Sequence, residues 1–129
     1  LFHKLPGDQQ REISSLLTKI SSDHRNLPLF FPALRFLEGG VAVEVVSREL
    51  LALRRALKST WKNWLSPQDN QGYRPHITVQ NKVSTPKARQ LYDTLNLTWQ
   101  PLQGTGVGLL LWEYHGGPWT LAGKYSFGS

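Results

Sequence analysis

Tyr73-Arg74-Pro75-His76-Ile77-Thr78-Val79-Gln80-Asn81-Lys82-Val83 carries the organisation of this chain. Pro75 to Val83 reads as a strand. Side chains alternate along a strand with period two, so His76, Thr78 and Gln80 fall on one face and Ile77 and Val79 on the other. An imidazole, a hydroxyl and an amide on one side, with branched apolar residues expected in the core on the other, fit the wall of a polar cleft. Arg74 and Lys82 flank the His76-Ile77-Thr78 motif, where contact with phosphate and plain solvation are equal readings. Tyr73 could stack on a base or brace the loop before the strand.

After this strand, Thr85-Pro86 reads as an N-cap with proline at the first helical position, and Ala88, Leu91, Tyr92 and Leu95 form one helix face. Val107 to Tyr114 is a strand, Gly116-Gly117-Pro118 a turn, and Trp119 to Phe127 the last strand. Upstream, Leu1-Phe2-His3 reads as the end of an apolar strand, and Pro6-Gly7-Asp8 as a turn with a helix cap. Ile13, Leu16, Leu17 and Ile20 keep helical spacing, and that helix should end near Ser22 to Asn26. Pro28 to Leu37 reads as one strand. Gly39-Gly40 is a hairpin turn using positive φ, and Val41 to Val46 is the return strand, interrupted by Glu44. Ser47 caps a second long helix through Leu50, Leu53, Leu57, Trp61 and Trp64. Ser66 to Gln71 is a polar loop.

The order strand, helix, strand, Gly-Gly, strand occurs twice, over about 1–46 and 75–127, with a helix over 47–65 between. Lys4-Leu5 aligns with Lys82-Val83, Ile13 with Leu91 and Leu17 with Leu95 at one offset of 78, and Gly39-Gly40 with Gly116-Gly117 at 77. This pattern reads as duplication. In that register Leu1 corresponds to Val79, so the partners of His76 and Thr78 are expected directly before Leu1, as a second His-x-Thr. The absence of methionine agrees with a missing N-terminal piece. Loss of such a strand would open a sheet edge and invite pairing with that segment or with another chain.

At 129 residues the chain suits one domain. Fifteen Lys and Arg against nine Asp and Glu give a formal charge of +6, which favours anionic partners such as RNA or nucleotides. No apolar run approaches the ~18 residues of a membrane helix, no stretch reads as a signal peptide, and no membrane association is expected. Cysteine is absent, which excludes disulfides and thiolate metal sites. The four histidines lack zinc-like spacing, so neither metal nor cofactor is expected. A cytoplasmic location is the default expectation. His3 alternates away from the upstream motif and reads as structural, while His24 and His115 read as solvated. Trp61 and Trp64 read as core, Trp112 and Trp119 as a cross-strand pair, and Arg54-Arg55-Lys58-Lys62 as a solvated helix face.

Tyr73 to Val83 resembles the second His-x-Thr motif of the 2H phosphoesterases. Leu1-Phe2-His3-Lys4-Leu5-Pro6-Gly7 resembles the segment just after the first such motif in a bacterial and fungal branch of the 2′-5′ RNA ligase-like proteins. Leu34-Arg35-Phe36-Leu37, Leu110-Leu111-Trp112 and Gly116-Gly117-Pro118-Trp119 look like that branch too, so the resemblance spans essentially the whole chain. It implies an α+β fold of two pseudo-symmetric lobes of antiparallel strands with flanking helices around a central cleft, here without its N-terminal strand. It also implies a metal-independent phosphoesterase of the cyclic phosphodiesterase or 2′-5′ RNA ligase-like kind, acting on RNA ends or nucleotide phosphodiesters. His76 would be the acid or base and Thr78 a phosphate ligand, with Tyr73, Arg74, Gln80 and Lys82 as further substrate contacts. Two imidazoles can deprotonate the incoming oxygen and protonate the leaving one, and with one of them the fragment should be impaired. The rival reading is a non-catalytic nucleotide- or RNA-binding module with an incomplete cleft.

Overall fold

The computed structural model of the chain describes residues 1–128. Its helices are α1 (Gln10–Asp23), α2 (Arg48–Trp61) and α3 (Thr85–Asn96), with a 3-10 turn over Gly7–Gln9 ahead of α1. Its strands are β1 (Leu27–Phe31), β2 (Leu34–Leu37), β3 (Gly40–Glu44), β4 (His76–Gln80), β5 (Leu102–Gly106), β6 (Gly108–Glu113) and β7 (Thr120–Ser126). All strand pairings in the three small sheets β1-β5, β2-β3-β4 and β6-β7 are antiparallel.

The apolar spacing of α1 and α2 explains where they sit. Ile13 and Leu17 of α1 meet Leu53, Leu57 and Trp61 of α2, with Leu27 and Phe127 closing the cluster. Burying each such side chain contributes about 1.5–3 kcal/mol. Ser47 Oγ accepts from the Leu50 amide at 3.1 Å and caps α2 as expected. The helix stops at Trp61, and Trp64 lies past its end, its amide bonded to the Trp61 carbonyl at 2.8 Å. The cap of α3 is Ser84, one residue earlier than expected, while Thr85 Oγ1 donates to the Glu38 carbonyl.

Several sequence expectations are corrected. The predicted strand over Pro28 to Leu37 is two strands in different sheets, because Pro32 has no amide proton to continue a ladder. Leu1 to Pro6 is irregular and α1 begins at Gln10 without a side-chain cap. β5 was not foreseen: Leu102-Gln103-Gly104-Thr105-Gly106 lacks the branched residues that mark strands, yet it pairs with β1 along its whole length. Neither Gly39 nor Gly40 has positive φ; among the described residues that conformation occurs at Gly116 (φ 88°) and at Lys82 (φ 58°). Gly40 is needed for closeness instead, since a Cβ there would stand 1.8 Å from the Gln80 carbonyl oxygen of β4.

The two halves of the sequence are interleaved. Helix α1 packs on the β6-β7 hairpin near the C-terminus, and α3 packs on the β2-β3 hairpin near the N-terminus. Between them β1 and β5 run side by side, with Leu27 opposite Gly106 and Phe31 opposite Leu102. Phe30 and Val46 exchange both backbone hydrogen bonds, at 3.0 and 2.8 Å, and tie β1 to the strand leaving β3.

Candidate active site

β4 pairs with β3 on one side and with no strand on the other among the described residues. His76 lies opposite Glu44, Ile77 opposite Val43 and Thr78 opposite Ala42. Facing residues of an antiparallel pair share a face, so Glu44, His76 and Thr78 form one row. Helix α3 covers the other face through Phe36 and Tyr92, whose rings meet edge to face at 5.8 Å.

Two expectations about this strand fail. Ile77 and Val79 do not enter the core; they remain 51% and 52% exposed, because β4 is an edge and α3 lies over β2 and β3. Gln80 does not continue the row of His76 and Thr78. The register slips between Val41 and Ala42, which sets Gln80 opposite Val41, a residue on the α3 face. Its Oε1 is shut off from solvent without a hydrogen-bond partner.

The imidazole of His76 is exposed and its Nδ1 sits 2.9 Å from the Arg74 carbonyl oxygen. A carbonyl only accepts, so Nδ1 is the donor in this contact and Nε2 is left for other partners. The Arg74 guanidinium pairs with Glu44, the residue opposite His76, at 2.7 Å. Arg74 thus holds the ring through its backbone and offsets, through its side chain, the carboxylate opposite that ring. Thr78, also exposed, stands two residues along, about 6.8 Å away by strand rise.

The remaining predicted contacts lie apart from this row. Lys82 is in the turn beyond the strand, beside the β2-β3 turn, where a Cβ on Gly39 would stand 3.9 Å from the Lys82 amide nitrogen. It follows His76 by six residues, two of them past the end of β4. Tyr73 braces the loop: its half-buried ring lies 4.7 Å from the Arg54 guanidinium, and burial pushes its hydroxyl pKa up against the opposing pull of Arg54. Arg54 is itself buried, at 6% exposure, and not on a solvated face as its basic neighbours suggest. The signal was present, since Arg54 falls at i+4 from Leu50 and i−3 from Leu57, on the apolar stripe. Glu44 was announced only as the one charge interrupting an apolar return strand.

Elsewhere, the Trp112–Trp119 pair does not form: Trp112 faces Leu121, and Trp119 lies against Tyr114 with ring centroids 4.7 Å apart. His24 lays its ring on Phe127 at 4.9 Å and is not merely solvated. No group of three or more His, Cys, Asp or Glu among the described residues is arranged to hold a metal ion, and no helix among them is long and apolar enough to cross a membrane.

The fold and the motif together define an α+β domain of antiparallel hairpins and three helices that displays a His-x-Thr strand at a sheet edge. The family model described as the 2′-5′ RNA ligase superfamily matches residues 1–118, and the chain belongs to that superfamily. The crystal structure of TT0787 of Thermus thermophilus is similar, with a TM-score of 0.65 over 98% of this chain and 74% of that one, at 14% identity. That likeness concerns the fold. No curated protein matches the sequence.

Proposed function

We propose that this protein is a phosphoesterase acting on RNA ends or nucleotide phosphodiesters, of the 2′,3′-cyclic phosphodiesterase or 2′-5′ RNA ligase-like kind, with His76 as acid or base. The supporting observation is the tautomer set at His76: Nδ1 is engaged by the Arg74 carbonyl and Nε2 is free on an exposed strand. Such a nitrogen takes a proton from an attacking hydroxyl, or returns one to a leaving oxygen when the ring is charged. Thr78 would donate to a non-bridging phosphate oxygen, where negative charge grows in the transition state. Arg74 would exchange its Glu44 partner for phosphate. The scheme calls on no metal. A cytoplasmic setting would suit these substrates.

A complete reaction needs a second imidazole. β3 is the return strand of its hairpin and takes β4 on its outer side; β7 is the return strand of the other hairpin, and its outer side takes no strand among the described residues. A second His-x-Thr strand, supplied for example by another chain, would pair there.

The test is turnover of 2′,3′-cyclic nucleotides and 2′-5′-linked RNA by the intact protein. His76→Ala should lower the rate about 10²–10⁴-fold with unchanged folding; parental rates in that variant refute the assignment. A second reading rests on the exposed Tyr114–Trp119 pair, each residue 58% exposed on a chain of charge +6. Exposed paired aromatics on a basic protein suit non-catalytic RNA binding, which would appear as salt-dependent affinity without turnover.

A further inference from the structure

Arg54 and Asp69 are the charged residues the structure buries most deeply, at 6% and 1% exposure, and the chemistry proposed above does not use them. They bind backbone. Arg54 Nη2 donates to the Asp69 carbonyl at 2.7 Å and Nε donates to the Leu1 carbonyl at 3.3 Å. The guanidinium is stacked against two rings, Phe2 at 4.6 Å and Tyr73 at 4.7 Å. The Asp69 carboxylate accepts from the amides of His3 at 2.7 Å and Lys4 at 3.0 Å, and from His3 Nδ1 at 3.0 Å. Burial pushes this carboxyl's pKa up, but the His3 and Lys4 hydrogen bonds outweigh burial and hold it below the ordinary carboxylate value. No carboxylate lies within ion-pair distance of Arg54 among the described residues, so its charge is satisfied by peptide carbonyls and ring faces, and that of Asp69 by two peptide amides and the His3 imidazole.

Three separated pieces of chain meet here: α2, the loop over residues 66–73, and Leu1 to Lys4. The arrangement continues into the candidate site. Tyr73, under the guanidinium, precedes Arg74, whose carbonyl holds the His76 ring, and the next carbonyl, of Pro75, accepts from the Val45 amide at 3.2 Å. Buried charges of this kind stabilise no better than apolar side chains of the same volume, because desolvation offsets their attraction. What they add over apolar packing is direction: a planar fork and a fixed carboxylate specify which backbone groups sit where.

We infer that Arg54 and Asp69 form a latch of positioning residues that fastens Leu1–Lys4 to the loop delivering His76 and thereby sets the orientation of the His76 ring. The inference rests on the catalytic reading of His76 only for its effect on rate; the effect on ring and backbone stands apart from it.

The test compares Arg54→Met, Arg54→Lys and Asp69→Asn in the full chain. Nitrogen-15 NMR of the imidazole reports the His76 tautomer, and amide hydrogen exchange reports Leu1–Lys4 and Tyr73–His76. In Arg54→Met the ring should lose its preference for the Nδ1-protonated form, and exchange in both segments should rise at least tenfold. With a cyclic nucleotide substrate, kcat should fall tenfold or more with KM changed less than twofold. Arg54→Lys keeps the charge but not the planar fork, and should show the same tautomer and exchange changes if Arg54→Met does not fold. Asp69→Asn should release mainly Leu1–Lys4. An unchanged tautomer and unchanged exchange before β4 in the folded Arg54 variants overturn the latch. Should His76→Ala itself leave turnover intact, the catalytic reading fails while the NMR and exchange results still decide the latch.

Discussion

Replacing Gly40 with alanine tests how β4 is held. The added methyl would stand 1.8 Å from the Gln80 carbonyl oxygen, 2.6 Å from its carbon and 2.9 Å from Asn81 Cα, all backbone atoms that no rotamer change can move. Reaching even 3.0 Å requires the strands to part by about 1.2 Å, which takes a ladder hydrogen bond of about 2.9 Å beyond its useful range. Overpacking of this kind costs about 1–3 kcal/mol, and a lost ladder bond adds about 1 kcal/mol. Removing a glycine from the unfolded ensemble returns about 0.4–1 kcal/mol. The expected destabilisation is therefore about 1–3.6 kcal/mol, read as a fall of about 0.5–1.8 M in the urea midpoint for a mid-range m-value of about 2 kcal/mol/M. The control is one residue away: a Cβ on Gly39 meets its nearest atom, the Val83 carbonyl oxygen, at an ordinary 3.5 Å, so Gly39→Ala should be nearly neutral. Equal urea midpoints for the two variants, or a larger loss at Gly39, would refute the argument and restore the view of a turn that needs two flexible glycines.

Three further outcomes are expected. The Asp69 carboxyl is held below its ordinary value of 3.8 in the folded chain, so its contribution to stability is present above that pH and lost as pH falls through the lower folded value; the advantage of the parent over Asp69→Asn in urea unfolding should be full at pH 7 and shrink below pH 3.8, and a pH-independent difference would contradict it. Ser47→Ala removes the oxygen that accepts from the Leu50 amide and should cost about 1 kcal/mol in the same assay, with Ser47→Asp restoring most of it. Arg74→Ala removes the cation opposite Glu44 while leaving the carbonyl that holds His76, so KM for a cyclic nucleotide should rise several-fold with a smaller change in kcat; the reverse pattern would argue against phosphate contact by this side chain.

Much of the architecture was legible because it rests on periodicity. The apolar stripes of α1, α2 and α3, the Ser47 cap and the His76 strand follow from spacing alone. Misses came where tertiary contact decides. β5 is built from residues with little strand preference and exists because β1 lies beside it. Pro32 divides what composition reads as one strand. Ile77 and Val79 look like core residues, and would be in a central strand, but the sequence does not say that β4 is an edge. The candidate site was legible at His76 and Thr78, whose shared face needs only alternation. It was not legible at Gln80, since a register slip is invisible in one strand, nor at Lys82, which shares the segment but not the place. Arg54 was hidden by its basic neighbours although its spacing from Leu50 and Leu57 put it inside.

These departures share a cause in the way an edge strand is kept in place. With a partner strand on one side only among the described residues, and half-exposed branched residues at Ile77 and Val79, β4 draws little from burial along its length. Its fastenings are at the ends. Before His76, the Pro75 carbonyl accepts from Val45, and Tyr73 is pinned beneath the buried Arg54. After Gln80, the Val83 amide donates to the Gly39 carbonyl at 3.1 Å, and Gly40 lets the backbones close in. A strand held this way leaves its middle free of packing neighbours, so an imidazole and a hydroxyl can face solvent on a rigid backbone without an apolar lid to displace. Stability at such a strand should then be lost from the ends, through Gly40 and Arg54, while substitutions at His76 and Thr78 should change chemistry and leave the unfolding free energy within about 0.5 kcal/mol of the parent, as surface substitutions do.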